Sequence, residues 1–313
     1  MKYVIIGAGG TGGPIAAYMT RAGKDVTVIA RGEHLAVLQH SGIRMETSDA
    51  GTFQIPMIKA CRMDQYTSKA DVIFVCVKGY SLQETIPFLA RCSHPGTVVI
   101  PLLNIYGTGA RLQKSLPEQT VTDGCIYISA NIKAPGVISK HGSIFRIVFG
   151  LRNPEESNPL LNEIAKDLRD SDIDVVLSQN IRRDALEKFS YVSAQAACGL
   201  YYNTTAGRIQ KEEGPRSMFV SLIEEISDLS KAMGIPISEN IVATNLSILD
   251  SLAETASTSM QRDIEKGKPS EIDGLLYEVI RLGAIYDVPT PTYDKVLKKV
   301  WSIDFHRPVV AAR

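Results

Sequence analysis

Residues 4–13 read VIIGAGGTGG, and five of these ten residues are glycine. The apolar run predicts a strand over 3–6, and the pattern after it predicts a helix over 10–22. Gly7, Gly9 and Gly12 then form G-x-G-x-x-G between a strand and a helix, the context in which this pattern binds a dinucleotide pyrophosphate. The alternative is a glycine-rich turn without a ligand. We predict cofactor contacts from Gly7, Ala8, Gly9, Gly10, Thr11 and Gly12.

Short β-branched runs alternate with helical patterns as far as residue 177, which is typical of parallel strands joined by crossover helices. Continuous apolar runs at 71–77 and 97–101 predict strands buried on both faces. The other predicted elements are strands at 25–30 and 174–177, helices at 33–40 and 158–170, a hairpin of 43–46 with 52–58 around SDAG, and a β-rich stretch over 120–151 with turn signals at APG (134–136) and KHGS (140–143).

From about residue 182 the strand patterns end and apolar residues recur at helical spacing. Helices are predicted at 183–201, 215–233, 238–253, 270–286 and 292–302, with the breakers GIP, GKP and DVPTP before the last three. The predicted fold class is therefore an α/β Rossmann-type dinucleotide-binding domain over residues 1–179, followed by an all-α helical domain over residues 180–313.

Composition excludes several classes of partner. Basic and acidic residues both number 34, so the chain has no surplus of positive charge for nucleic acid. No leader pattern and no apolar run of membrane-spanning length is present, so we expect no membrane partner and a cytoplasmic location. The five cysteines include no C-x-x-C pair and the five histidines are isolated, which argues against a disulfide framework or a metal site. Cys76 is predicted to be a buried small apolar residue.

Three residues follow predicted strands at the edge where ligands of open α/β sheets bind. Arg31 stands where NAD-binding proteins usually carry a carboxylate, and a guanidinium there favours the 2′-phosphate of NADP. We predict NADP, although Glu33 lies close enough to turn toward the ribose. Lys78 is predicted to face the cofactor, the alternative being a solvated lysine at the strand end. Asn104 is predicted to reach cofactor and substrate, the alternative being an ordinary turn residue.

These residues and those of the helical half carry a resemblance to a known family. The motifs are the glycine turn, Arg31, Val77-Lys78, Leu102-x-Asn104-x-x-Gly107, Glu187-Lys188, Ser259-Met260-x-x-Asp263-Ile264 and Glu271-Ile272-Asp273-Gly274. Over essentially its whole length the chain resembles ketopantoate reductases (2-dehydropantoate 2-reductases). The resemblance implies NADPH-dependent reduction of 2-dehydropantoate to pantoate, a step of pantothenate biosynthesis.

The resemblance also implies roles for individual residues. Lys188 is the general acid, Glu271 and Ser259 bind substrate, and Asn104 contacts both ligands; we also assign Glu271 to catalysis and to the cofactor. As an ammonium, Lys188 would stabilise the charge that grows on the carbonyl oxygen and donate its proton. The alternatives are a helix-surface lysine, an acidic residue that complements a helix dipole at Glu271, and a helix N-terminal hydroxyl at Ser259.

The chain departs from the family pattern beside the lysine. Family members commonly have asparagine one and two turns after it, where this chain has Val192 and Ala196, and Ile105 stands where glycine is usual. Gln195 projects onto a similar face and is predicted to replace one amide. A face of valine and alanine predicts a bulkier or less polar 2-oxo acid.

Other functions stay open at this point. One is a related reductase of a different 2-oxo acid or ketone, and another is an NADP-binding redox sensor without turnover. A β-hydroxyacid or 6-phosphogluconate-type dehydrogenase would need a different lysine motif, which the chain lacks. Helical domains of this kind often dimerise, so a homodimer is also open.

Overall fold

The computed structural model describes residues 1–304, so residues 305–313 of the predicted helical domain, with His306, lie outside the described residues. The chain divides into two compact units, Met1–Arg182 and a second unit that begins at Arg183. The strands of the first unit are β1 (Lys2–Ile6), β2 (Asp25–Ile29), β3 (Ile43–Thr47), β4 (Gly51–Ile55), β5 (Lys59–Cys61), β6 (Val72–Val75), β7 (Val98–Pro101), β8 (Thr120–Val121), β9 (Asp123–Ala134), β10 (Val137–Gly150) and β11 (Asp174–Leu177). Its α-helices are α1 (Gly12–Arg21), α2 (Gly32–Ser41), α3 (Leu82–Cys92), α4 (Thr108–Gln113) and α5 (Leu160–Arg169), and a 3-10 turn covers Gly79–Ser81.

A parallel six-stranded sheet in the order β5-β2-β1-β6-β7-β8 forms the centre of the first unit. Alternate residues of β1 enter different cores, as the two-residue period of a strand requires. Tyr3 and Ile5 pack in the core that contains α1, whereas Val4 and Ile6 pack in the core that contains α3. The predicted Rossmann-type sheet with two buried faces is therefore confirmed.

A second, mixed sheet is built around the long β9–β10 hairpin, with β3 and β11 parallel to different parts of β10 and β4 antiparallel to β3. The predicted turn at residues 134–136 is confirmed, because Gly136 has φ +72° between the two strands. The turn signal at residues 140–143 coincides with an interruption of the β9–β10 pairing. Gly142 has φ +70°, and residues 142–144 pair with no residue of β9, although β10 continues to Gly150. Beside this interruption the buried Lys140 ammonium binds Asp49 at 2.9 Å and the Gly142 carbonyl at 2.7 Å.

Helices make up the described chain from Ile181 onward, as the second half of the sequence predicts. They are α6 (Ile181–Tyr202), α7 (Ala206–Lys211), α8 (Glu213–Ala232), α9 (Ile241–Ser251), α10 (Ser259–Glu265), α11 (Glu278–Tyr286) and α12 (Pro291–Asp304), with a π-helical turn at Asp273–Tyr277. The buried face of α8 repeats at helical spacing through Phe219, Leu222, Ile223 and Ile226.

Two features of the second unit differ from the sequence prediction. The helix predicted over 270–286 is interrupted by the π-helical turn, where the Leu275 carbonyl accepts the Ser193 hydroxyl of α6 at 2.6 Å. The short α7 and α10 were not predicted, because six or seven residues carry too little periodicity to be recognised. α10 begins with a capping box in which Thr258 and Gln261 exchange hydrogen bonds.

Candidate functional site

The glycine turn between β1 and α1 has the geometry that close approach of a ligand requires. Gly7 has φ +99°, and a Cβ there would lie 2.8 Å from the Cys76 carbonyl oxygen, so only glycine is accommodated. Its N–H donates to the Ile29 carbonyl at 3.0 Å, which fixes the turn against β2. No atom lies within 4 Å of a Cβ built on Gly9. A ligand can therefore approach the backbone at Gly9, whereas protein atoms crowd Gly7.

Two other glycines of the motif are crowded by protein atoms. A Cβ on Gly12 would overlap the Gly7 carbonyl oxygen and would lie 2.8 Å from Ile5 Cγ2, so this glycine allows α1 to pack closely on β1. A Cβ on Gly10 would overlap the Ala130 carbonyl oxygen of β9. Gly10 thus has a packing role that the sequence did not indicate, because β9 lies far away in the chain.

A cavity of about 640 Å³ opens beside this turn within the first unit. It brings together five of the predicted cofactor residues, namely Gly7, Ala8, Gly9, Arg31 and Lys78. The lining does not include Gly10, Thr11, Gly12, Asn104 or Glu33. The cavity therefore combines open backbone with the side chains that follow β2 and β6, which suits an anionic dinucleotide.

Several residues of the cavity lining are not indicated by the local sequence, among them Arg62, His34 and the carboxylates Asp64 and Glu84. Arg62 follows β5, a strand of three residues that is too short to be recognised from its pattern. His34 lies on α2, and its Nδ1 accepts the Gly136 N–H at 3.0 Å. Burial lowers the pKa of His34, so its neutral form is favoured at this position.

Asn104 lies in the loop between β7 and α4, and hydrogen bonds at the end of this loop help to hold it. Thr108 Oγ1 donates to the Ile105 carbonyl at 2.9 Å, and Asp123 accepts the Gly109 N–H at 2.9 Å. Burial raises the pKa of Asp123, while the Arg152 guanidinium, 3.3 Å away, opposes this shift. The loop is thus fixed to the start of β9 by a buried carboxylate.

The remaining predicted site residues lie in the second unit. Lys188, Val192 and Gln195 are partly exposed on α6, whereas Ala196 is completely buried. Ala196, two turns after Lys188, thus has no exposed surface, whereas Val192, one turn after it, is partly exposed, and the residues that contact substrate stay a prediction. Glu271 is buried, with 4% of its surface exposed.

The start of the helix that contains Ser259 bears on one of the alternatives. The side chain of Thr258 accepts the Gln261 N–H at 3.2 Å, and the Gln261 side chain accepts the Thr258 N–H at 3.0 Å. Thr258 therefore caps α10, while Ser259 is the first residue of this helix, so the alternative of a helix N-terminal hydroxyl stays open. A contact also ties the elements of Lys188 and Glu271 together, since Ser193 of α6 binds Leu275, one helical turn after Glu271.

Residues 1–304 contain no group of three or more His, Cys, Asp or Glu side chains that could hold a metal ion. None of the helices described is long and apolar enough to cross a membrane. Cys76 is buried as predicted, and burial raises the pKa of its thiol.

The sequence that forms this glycine turn, Rossmann-type sheet and helical unit matches two family models. Residues 3–154 match "Ketopantoate reductase PanE/ApbA", and residues 180–302 match "Ketopantoate reductase PanE/ApbA C terminal". The chain belongs to the ketopantoate reductase family. It is accordingly an oxidoreductase of a dinucleotide-binding family that reduces 2-oxo acids.

Two relatives cover most of this ketopantoate reductase family member. "Uncharacterized oxidoreductase YkpB" of Bacillus subtilis is 28% identical over 88% of this chain and 89% of its own length. A 2-dehydropantoate 2-reductase of Mesorhizobium japonicum is 27% identical over 96% of this chain and 97% of its own length. At 27–28% identity this chain shares the family of these relatives, but this identity does not establish its substrate.

Solved structures share the fold over the whole length. A 2-dehydropantoate 2-reductase from Methylococcus capsulatus is 21% identical, with a TM-score of 0.87 and coverage of 100% of both chains. A dimeric ketopantoate reductase from Staphylococcus aureus is 23% identical, with a TM-score of 0.82 over 98% of this chain and 100% of that chain. A D-mandelate dehydrogenase with NADH is 19% identical, with a TM-score of 0.88 over 96% and 98%. These likenesses concern the fold alone.

Proposed function

We propose that this chain reduces a 2-oxo acid to the 2-hydroxy acid with NADPH, and that 2-dehydropantoate is the substrate to test first. The observation that carries the proposal is the cavity in which the open Gly9 backbone, Arg31 and Lys78 meet. Family membership supplies the reaction class, and the relative from Mesorhizobium japonicum supports 2-dehydropantoate. In this proposal residues 1–179 bind NADP and residues 180–313 bind substrate.

The cavity fits a dinucleotide in three respects. The space above Gly9 admits a pyrophosphate, and no side chain caps the start of α1, whose first N–H groups attract anions. Arg31 directly precedes α2 and can bind a 2′-phosphate with paired charge-assisted bonds. Lys78 adds a second positive charge to the same lining. When bound, the nicotinamide ring supplies the hydride.

The protein's own chemistry concerns the carbonyl oxygen of the substrate. We assign Lys188 to stabilising the negative charge on this oxygen and to donating its proton from Nζ. A positioned proton donor contributes about 10²–10⁴-fold in rate. Glu271 contacts the cofactor, and it either keeps the lysine charged or binds a substrate hydroxyl. Ser259, Asn104 and Gln195 orient the substrate.

The identity of the 2-oxo acid depends on the face of α6 beside Lys188. Val192 remains partly exposed there and offers no amide donor. Ala196 has no exposed surface. Gln195 is then the polar side chain predicted to face the substrate, and one amide in place of two favours a less polar 2-oxo acid as the second candidate.

A substrate panel tests the proposal. Purified protein is incubated with NADPH and 2-dehydropantoate, 2-oxoisovalerate, phenylpyruvate or benzoylformate, and loss of NADPH absorbance is followed. Turnover of 2-dehydropantoate above the others supports the first candidate, and faster turnover of a bulkier oxo acid supports the second. Tight NADPH binding without oxidation by any member would contradict the reductase and support the redox sensor.

Two further expectations go with this function. The dimeric enzyme of Staphylococcus aureus shares this fold, and we propose a homodimer for this chain as well. Light scattering of the purified protein checks this expectation. A cytoplasmic location stays a prediction from the sequence.

A further inference from the structure

The carboxyl ends of two neighbouring strands place two arginines on one cavity. β2 and β5 are parallel and pair Thr27 with Lys59 and Ile29 with Cys61, and the Ala30 N–H continues the ladder to the Cys61 carbonyl at 3.1 Å. The residues that follow are Arg31 after β2 and Arg62 after β5. Both line the cavity that contains the glycine turn.

Arg62 is held in place by its own loop. Its Nε and Nη2 atoms donate to the two carboxylate oxygens of Asp64, at 3.0 and 2.9 Å. Its backbone N–H donates to the Gln65 side chain at 3.0 Å. The Arg91 guanidinium binds the carbonyl of Met63, the next residue in the same loop. The Arg62 hydrogen bonds lower the pKa of Asp64, so this partner stays ionised at neutral pH.

Arg62 adds hydrogen-bond donors beside Arg31 at this edge, while the ionised Asp64 carboxylate offsets its charge. A 2′-phosphate carries about −1.5 to −2 charges at neutral pH, which one guanidinium neutralises only in part. Asp64 uses two of the five N–H donors of Arg62, and the remaining donors can bind a second anion. Asp64 lines the same cavity, so a phosphate at this edge would contact the side of Arg62 that does not bind this carboxylate.

We propose that Arg62, oriented by Asp64, is a second binding residue for the 2′-phosphate and sets the preference for NADPH over NADH together with Arg31. This proposal rests on the proposed function, because it deepens the cofactor choice made there. Since NADH lacks the phosphate, Arg62 contributes to NADPH binding alone. A hydrogen bond to a charged group lost at this site corresponds to about a tenfold to a hundredfold change in affinity.

The test measures dissociation constants of both cofactors by fluorescence titration for the wild type, Arg62→Gln, Arg31→Gln and Arg44→Gln. Arg44 is the matched control, because it is half-exposed, pairs with Glu46 at 3.4 Å and does not line the cavity. We expect Arg62→Gln to weaken NADPH binding about tenfold or more, to leave NADH within about twofold, and to flatten the salt dependence of NADPH binding. Arg44→Gln should match the wild type.

The outcomes separate the two proposals. A wild type that binds NADPH no more tightly than NADH would contradict the NADPH assignment and this inference together. If the wild type prefers NADPH and Arg62→Gln retains that preference, or loses both cofactors equally, only the role of Arg62 is overturned.

Discussion

Alanine at Gly9 and alanine at Gly12 add the same methyl group to one turn, yet the structure predicts opposite consequences. At Gly12 the methyl overlaps the Gly7 carbonyl oxygen and lies 3.0 Å from Cys76 Cβ, and backbone cannot move aside cheaply. Overpacking costs about 1–3 kcal/mol, and we expect the upper end here. For a domain of this size about 3 kcal/mol lowers the melting temperature by about 6–12 °C.

At Gly9 no atom lies within 4 Å of the added methyl and φ is not positive. Stability should stay constant or rise by about 0.4–1 kcal/mol, because alanine reduces the entropy of the unfolded chain. The methyl would instead occupy the space assigned to the pyrophosphate and weaken NADPH binding about tenfold or more.

Thermal unfolding followed by circular dichroism and NADPH titration of both variants check the pair. Equal destabilisation of Gly9→Ala and Gly12→Ala, or wild-type NADPH binding by Gly9→Ala, would contradict these expectations.

Variants of Ser193, Tyr293 and His34 test the hydrogen bonds and the buried histidine around the candidate site. Ser193→Ala removes the hydrogen bonds to the Leu275 carbonyl and to the buried Tyr293 hydroxyl, so the free energy of unfolding in urea should fall by about 1–3 kcal/mol. The double change with Tyr293→Phe should destabilise the protein by less than the sum of the two single changes. Strictly additive effects would refute this coupling. Burial lowers the pKa of His34 below its usual value of about 6.5, so the unfolded chain binds the proton more readily than the folded chain. The free energy of unfolding therefore decreases as the pH falls below about 6.5, by at most about 1.4 kcal/mol per pH unit. His34→Gln should remove this part of the pH dependence between about pH 7.5 and pH 5, and an unchanged difference in urea midpoint would contradict it.

Local sequence patterns predict the Rossmann-type unit well where a strand, turn or helix has a clear pattern of its own. Residues 4–13 contain a strand, a glycine turn and a helix start in direct succession, and Arg31 follows a strand with clear alternation. Arg62 follows a strand of only three residues, whose pairing with β2 depends on distant chain. Its place on the cavity could not be deduced from local sequence.

Contacts between distant segments account for the other differences. The signal KHGS marks the local turn at Gly142, but it does not reveal that Lys140 is buried, because Asp49, far away in the chain, supplies its counter-charge. Gly10 fits the cofactor motif, yet the nearest obstacle to a side chain there is Ala130 of β9. Such roles depend on tertiary packing, which a single sequence does not reveal.

Lys188 is proposed to donate the proton in a reductive step that uses NADPH. The most direct measurement compares kcat for 2-oxo acid reduction between the wild type and Lys188→Ala, together with the NADPH dissociation constant of each. We predict that kcat falls by about 10²–10⁴-fold while the NADPH dissociation constant stays within about threefold. Undiminished turnover by Lys188→Ala, with the same product, would contradict the account.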